Sequence, residues 1–143
     1  TVDFTISNTT TLGEHPRTVY AWFKDAAENV SSTSSDSITL VVTDTAAPSS
    51  PSISINSGSD NTSNTVVMLS LSASDNYGVS GYYASETNST HTSSTTGWTG
   101  VSTSKNYSDS VSFTLASESY AGSYSHTVYV WFKDGSGNIS SSA

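Results

Sequence analysis

The chain has 143 residues, a formal net charge of −8 and no cysteine. Its only basic side chains are Arg17, Lys24, Lys105 and Lys133, so the clustered cations that bind a phosphate backbone are missing and nucleic acid is not expected as a partner. Without cysteine there are no disulfides, thiolate metal sites or cysteine nucleophiles, and no apolar run reaches the roughly 18 residues of a membrane-spanning helix, so membrane insertion is not expected.

Hydrophobic residues make up 34% of the chain and charged residues 11%, both low for a globular domain. Ser and Thr fill the difference, at 55 of 143 positions, a bias of extended surface proteins and glycan-bearing stalks. Three Trp, eight Tyr and four Phe argue against disorder, which is usually poor in aromatics. The first residues carry no signal-peptide pattern.

Period-2 alternation dominates from the start, and no helical periodicity is found. Thr1 to Ser7 places Val2, Phe4 and Ile6 on one face and predicts a half-buried strand. Thr18 to Lys24 predicts another, with Val19, Ala21 and Phe23 inward, then a hairpin turn over Asp25 to Asn29 and a third strand over Ser37 to Thr43. Asp44 to Pro51, DTAAPSSP, reads as a short stiff linker. Beyond it, strands are expected at Ser52 to Asn56, Val66 to Ser74, Val79 to Glu86, around Trp98, at Ser110 to Ser117 and at His126 to Lys133. Asp75-Asn76-Tyr77-Gly78 reads as a turn, and Thr87 to Thr96 as a polar loop suited to O-linked sugar.

The chain repeats itself. A shift of 109 positions superposes Thr1 to Ser34 on Ser110 to Ala143 without a gap, with 14 identities in 34 positions, and TVYAWFKDAAENVSS at Thr18 becomes TVYVWFKDGSGNISS at Thr127. Tandem units are the natural reading: residues 1 to 46 as the C-terminal strands of one repeat, and residues 47 to 143 as a second repeat without its final strand. The all-β pattern, with six or seven short strands after the linker, predicts an immunoglobulin-like antiparallel β-sandwich. Two readings of the missing strand stay open. Either the residues belong to a longer repeat array, or a strand from a neighbouring chain completes the sheet.

Chemistry is sparser. In such a topology the linker and two turns converge at one end of the sandwich, bringing together Asp44, Asp75, Asn76, Asp134 and Asn138. That oxygen-rich set suits a hard cation, calcium foremost, although Asp and Asn also occupy turns because they bond nearby amides. Tyr129 and Trp131, repeated as Tyr20 and Trp22, form an aromatic row that Trp98 could join. The row either stacks on sugar rings or is covered by neighbouring strands. His15, His91 and His126 do not correspond between the copies, and no nucleophile elbow is present, so catalysis is not expected. Six Asn-x-Ser/Thr sequons, at Asn8, Asn29, Asn61, Asn88, Asn106 and Asn138, are a modest excess over chance for this composition.

The motifs VYVWFKDGSGNIS, DTAAP and ASDNYGVSGYY together resemble the bacterial immunoglobulin-like (Big or fibronectin III-like) repeats of large secreted and cell-surface proteins. The resemblance implies a spacer: a stalk, adhesin or filament segment, extracellular or at the cell surface, whose partners are like subunits or neighbouring repeats and which commonly binds calcium. A glycan- or protein-binding module, or an accessory domain of a secreted enzyme, is the alternative. One departure stands out. Glu28 occupies the place of Gly137, so a different turn geometry is expected in the first copy.

Overall fold

The computed structural model describes every residue, Thr1–Ala143, and shows an all-β chain with antiparallel pairing and a single 3-10 turn at Asn56–Gly58. The chain separates into two compact units, Thr1–Asp44 and Thr45–Ala143.

The first unit is a two-stranded hairpin, β1 (Gly13–Ala21) and β2 (Ser34–Val42), in register from Gly13 opposite Val42 to Ala21 opposite Ser34. The strand expected over Thr1 to Ser7 does not form, and Val2 is 93% exposed. The physical reason lies in the repeat. The corresponding residues of the second unit pair with a long strand that the first unit lacks. For the same reason β1 stops at Ala21, and Phe23, expected inward, is 72% exposed.

The second unit holds β3 (Ser49–Ile55), β4 (Val66–Ser85), β5 (Thr99–Thr114) and β6 (Tyr129–Asp134). Strand β4 organises it, pairing with β3, β5 and β6. The turn expected at Asp75 to Gly78 is instead a break in register inside β4 between Ser74 and Val79, so two predicted strands are one bent strand. Gly78 permits this bend: its φ is +124°, and a Cβ there would stand 2.5 Å from Thr103 Cγ2. The separate strands expected near Trp98 and at Ser110 are likewise merged in β5.

Both halves of β4 contribute to one core. Val67, Leu69, Leu71 and Ala73 alternate inward from the first half, Val79 from the second, and Val128, Val130 and Phe132 from β6 and its approach. Of the adjacent Tyr82 and Tyr83, Tyr82 packs against this core and stacks on Tyr107 with ring centroids 6.4 Å apart. Burial, with the nearby Asp109 charge and Tyr82 adding to it, pushes the Tyr107 hydroxyl up to about 12. The result is a sandwich-like antiparallel architecture.

Candidate metal centre

The inward row of β4 runs Val67, Leu69, Leu71, Ala73 and then Asp75, while that of β6 runs Val128, Val130, Phe132 and then Asp134. Each row ends by turning a carboxylate, rather than another apolar side chain, toward the interior. Asp44 supplies the third, at the point where the chain enters the second unit. All three are buried, and each offers an oxygen within 4.8 Å of the others.

Local hydrogen bonds hold two of these carboxylates. Asp75 Oδ1 accepts the backbone N–H groups of Tyr77 (2.9 Å) and Gly78 (2.6 Å). Its Oδ2 is buried with no hydrogen-bond partner. Asp134 Oδ1 accepts the amides of Ser136 and Asn138, both at 2.9 Å, and its Oδ2 accepts the Asn138 side-chain amide at 2.7 Å. The first copy repeats this turn: Asp25 Oδ1 accepts from Ala27 and Asn29, and Oδ2 from the Asn29 side chain, each at 2.9 Å. There the Asn29 side-chain amide, helped by its backbone N–H, holds the Asp25 carboxyl below the ordinary carboxylate range.

Three carboxylates this close repel one another by about 3 kcal/mol per pair at an effective dielectric constant near 20. A cation relieves that cost. Oxygens bound to one calcium at 2.3–2.6 Å lie at most about 5 Å apart, which the 4.8 Å cluster satisfies. The buried Asp triad could therefore hold a metal ion. A carboxylate oxygen that already accepts an amide keeps a lone pair for a metal. Of the sequence candidates, Asp44, Asp75 and Asp134 come together. Asn138 braces Asp134 through its amide nitrogen, and Asn76 is exposed beside Asp75.

The aromatic candidates divide between the units. Trp131 is only 6% exposed. Tyr83 meets it edge-on at 6.1 Å, and His91, carried by the Thr87 to Thr96 loop, lies at 4.4 Å. Trp98 closes on Tyr83 at 5.8 Å, with Lys133 Nζ 5.0 Å from its ring centroid. Tyr129, half-buried, lies 6.2 Å from Trp131. In the first unit Tyr20 and Trp22 are stacked at 6.1 Å and each is 56% exposed.

Sequence reasoning missed one polar cluster. Glu86 Oε1 lies 2.6 Å from His126 Nδ1, and Glu86 Oε2 accepts the Ala116 N–H at 2.6 Å, while Glu118 reaches His126 Nε2 at 3.7 Å. One signal pointed to it: His126 aligns with Arg17, so both copies place a basic side chain there. The chain matches no protein-family description, no curated protein and no solved structure.

Proposed function

We propose that this chain is a structural immunoglobulin-like repeat segment of an extracellular surface protein, stalk, adhesin or filament, with calcium bound by Asp44, Asp75 and Asp134. The observation that carries the reading is the convergence of three buried carboxylates where the chain enters the sandwich, one of them with an oxygen that has no protein partner. Oxygen-only donors favour a hard cation over zinc or copper, and irregular turn ligands tolerate calcium better than the strict octahedron of magnesium. Two of the carboxylates already serve turn amides, which suits the weak sites of extracellular modules, with dissociation constants of about 0.1–1 mM. Ser/Thr-rich surfaces and low charge agree with an extended extracellular role.

Thermal melting with and without calcium tests this. At ten times its dissociation constant, calcium adds about 1.4 kcal/mol to the unfolding free energy of the second unit, a rise of several degrees in Tm for a domain of this size. In Asp75→Asn the amide oxygen keeps both turn hydrogen bonds but removes one charge. The variant should be at least as stable as the parent in chelator and should lose the calcium response. A parent Tm that chelator leaves unchanged would sink the proposal.

A glycan-binding role is the second reading, and the exposed Tyr20 and Trp22 pair is what favours it. Quenching of tryptophan fluorescence by oligosaccharide, lost in Trp22→Ala, would support it.

A further inference from the structure

Strand β5 is 16 residues long, whereas most strands have about 3–10. Its single strand neighbour is β4, with which β3 and β6 also pair. The other edge of β5 is therefore free from Thr99 to Thr114. The repeat assigns no strand to that edge. In the first unit β2, which follows the Asp25 turn, pairs with β1, the counterpart of the stretch Gly122 to Val130 that leads into β6. Free edges are usually blunted by proline or by lysines, but β5 holds no proline and a single lysine.

Side chains of β5 itself cap the polar groups of this edge. The Ser110 N–H donates to Asp109 Oδ1 at 2.8 Å, and the Asn106 carbonyl accepts the Ser104 hydroxyl at 3.0 Å. Backbone groups alternate sides along a strand, so the even-numbered residues from Ser104 to Ser112 turn theirs to the open side. The only charged side chains of β5 are Lys105 and Asp109, both exposed and placed symmetrically about Tyr107. A second β5 running antiparallel and centred on Tyr107 would set each Lys105 opposite the other copy's Asp109. Odd-numbered residues then form the non-hydrogen-bonded pairs, whose Cα atoms are only about 4.5 Å apart and whose side chains interact most closely. Even-numbered residues exchange backbone hydrogen bonds, Ser104 with Ser110 and Asn106 with Ser108. The Ser110 amide passes from Asp109 to a carbonyl, which leaves the carboxylate for Lys105. Centring on Ser110 instead would set the two Asp109 carboxylates on a diagonal, within about 7–8 Å. Charge selects the Tyr107 register.

We propose that the free edge of β5 pairs antiparallel with β5 of a second copy of this chain, joining the two sheets across a two-fold axis at Tyr107. Every other opposed pair in this register is uncharged, from Gly100 with Thr114 to Asn106 with Ser108. Both copies present the same surface, so the contact is isologous and closes as a dimer. Backbone hydrogen bonds of the added strand supply its affinity. Chains are thereby linked side by side. This inference deepens the structural-repeat reading by naming the partner. It rests on that reading for the crowding of like chains, because a contact of one strand from each side is small and weak.

The test uses the full chain at physiological salt. Sedimentation equilibrium should show a monomer and dimer whose balance shifts with concentration. In the dimer, exchange of the Asn106, Ser108 and Ser110 amides should slow by about tenfold or more, with no such change in β1 or β2. Lys105→Glu and Asp109→Lys should each weaken association about tenfold, because two attractive pairs per dimer become repulsive. Mixing the two variant chains should restore association, since both pairs are again opposite in sign, and the chain carrying both reversals should dimerise like the parent. A folding defect would not be repaired by mixing. A chain that stays monomeric at millimolar concentration overturns the pairing. So does association that mixing fails to restore, or that leaves those three amides unprotected. Calcium-dependent melting, read on the same samples, keeps the two ideas apart. A monomer with an intact calcium shift removes only the strand pairing, and a charge-dependent dimer without that shift removes only the metal site.

Discussion

Glu28 has a φ of +71° and Gly137, its counterpart, a φ of +90°. The turn expected to differ between the copies is therefore the same one, with matching Asp to Asn hydrogen bonds and the same isolated bridge after it, Lys24 to Val30 and Lys133 to Ile139. A left-handed backbone costs a non-glycine residue about 1 kcal/mol. The Lys24–Glu28 ion pair, 2.9 Å long but exposed, returns only part of that. Glu28→Gly should thus stabilise the first turn by about 0.5–1 kcal/mol, read as a two- to fivefold slowing of exchange at the Ser31 amide, which donates to the Phe23 carbonyl. Unchanged or faster exchange would show that the ion pair, not the backbone, governs this turn. At this scale the sequence is a mixed guide. Asp134 and Asn138 were readable as a turn, but Asp75 and Asp134 are also the last members of inward rows, and only counting by twos along each strand reveals that.

Among the elements, β4 carries most of the interactions that decide the second unit. Its bend at Ser74 to Val79 lets one strand reach β3, β5 and β6, and Glu86, just past its end, fastens both ends of the segment from Ala116 to His126. Burial acts to raise the Glu86 carboxyl, but the Ala116 amide and then His126 outweigh it and hold the carboxyl below the ordinary glutamate value. A carboxyl depressed in the folded state stabilises fully above its unfolded value near pH 4.3, and the contribution is lost as pH falls through the folded value. Glu86→Gln should therefore destabilise the second unit by about 1–2 kcal/mol at pH 7, and the difference from the parent should shrink toward zero below about pH 4. Denaturant unfolding in chelator, repeated from pH 7 to pH 3, measures this. A deficit that persists unchanged at pH 3 would assign it to lost packing instead. The clasp was not legible because its three members lie in separate parts of the chain, and only the His126 and Arg17 correspondence hinted at it.

For the whole molecule, equivalent residues in the two units meet different fates. Phe132 is fully buried and Phe23 is 72% exposed, although the local sequences are nearly identical. Hydrogen exchange should follow that contrast. Amides of β1 and β2 should exchange with opening free energies of about 1–2 kcal/mol, while those in the β4 core at Leu69 and Leu71 should approach the global stability of the second unit, typically about 5 kcal/mol or more. Uniform protection across both units under monomeric conditions would contradict this. The sequence by itself determined the alternation of side chains, hence the strands, the inward rows and the repeat, because period-2 patterning is a property of each strand alone. Tertiary structure decided which of those patterns become strands at all: Val2 to Ile6 and Val111 to Leu115 alternate alike, but only the second has β4 to pair with. It also decided that three distant aspartates share one buried site. Both outcomes depend on backbone and side-chain partners far apart in the chain, which no local pattern encodes.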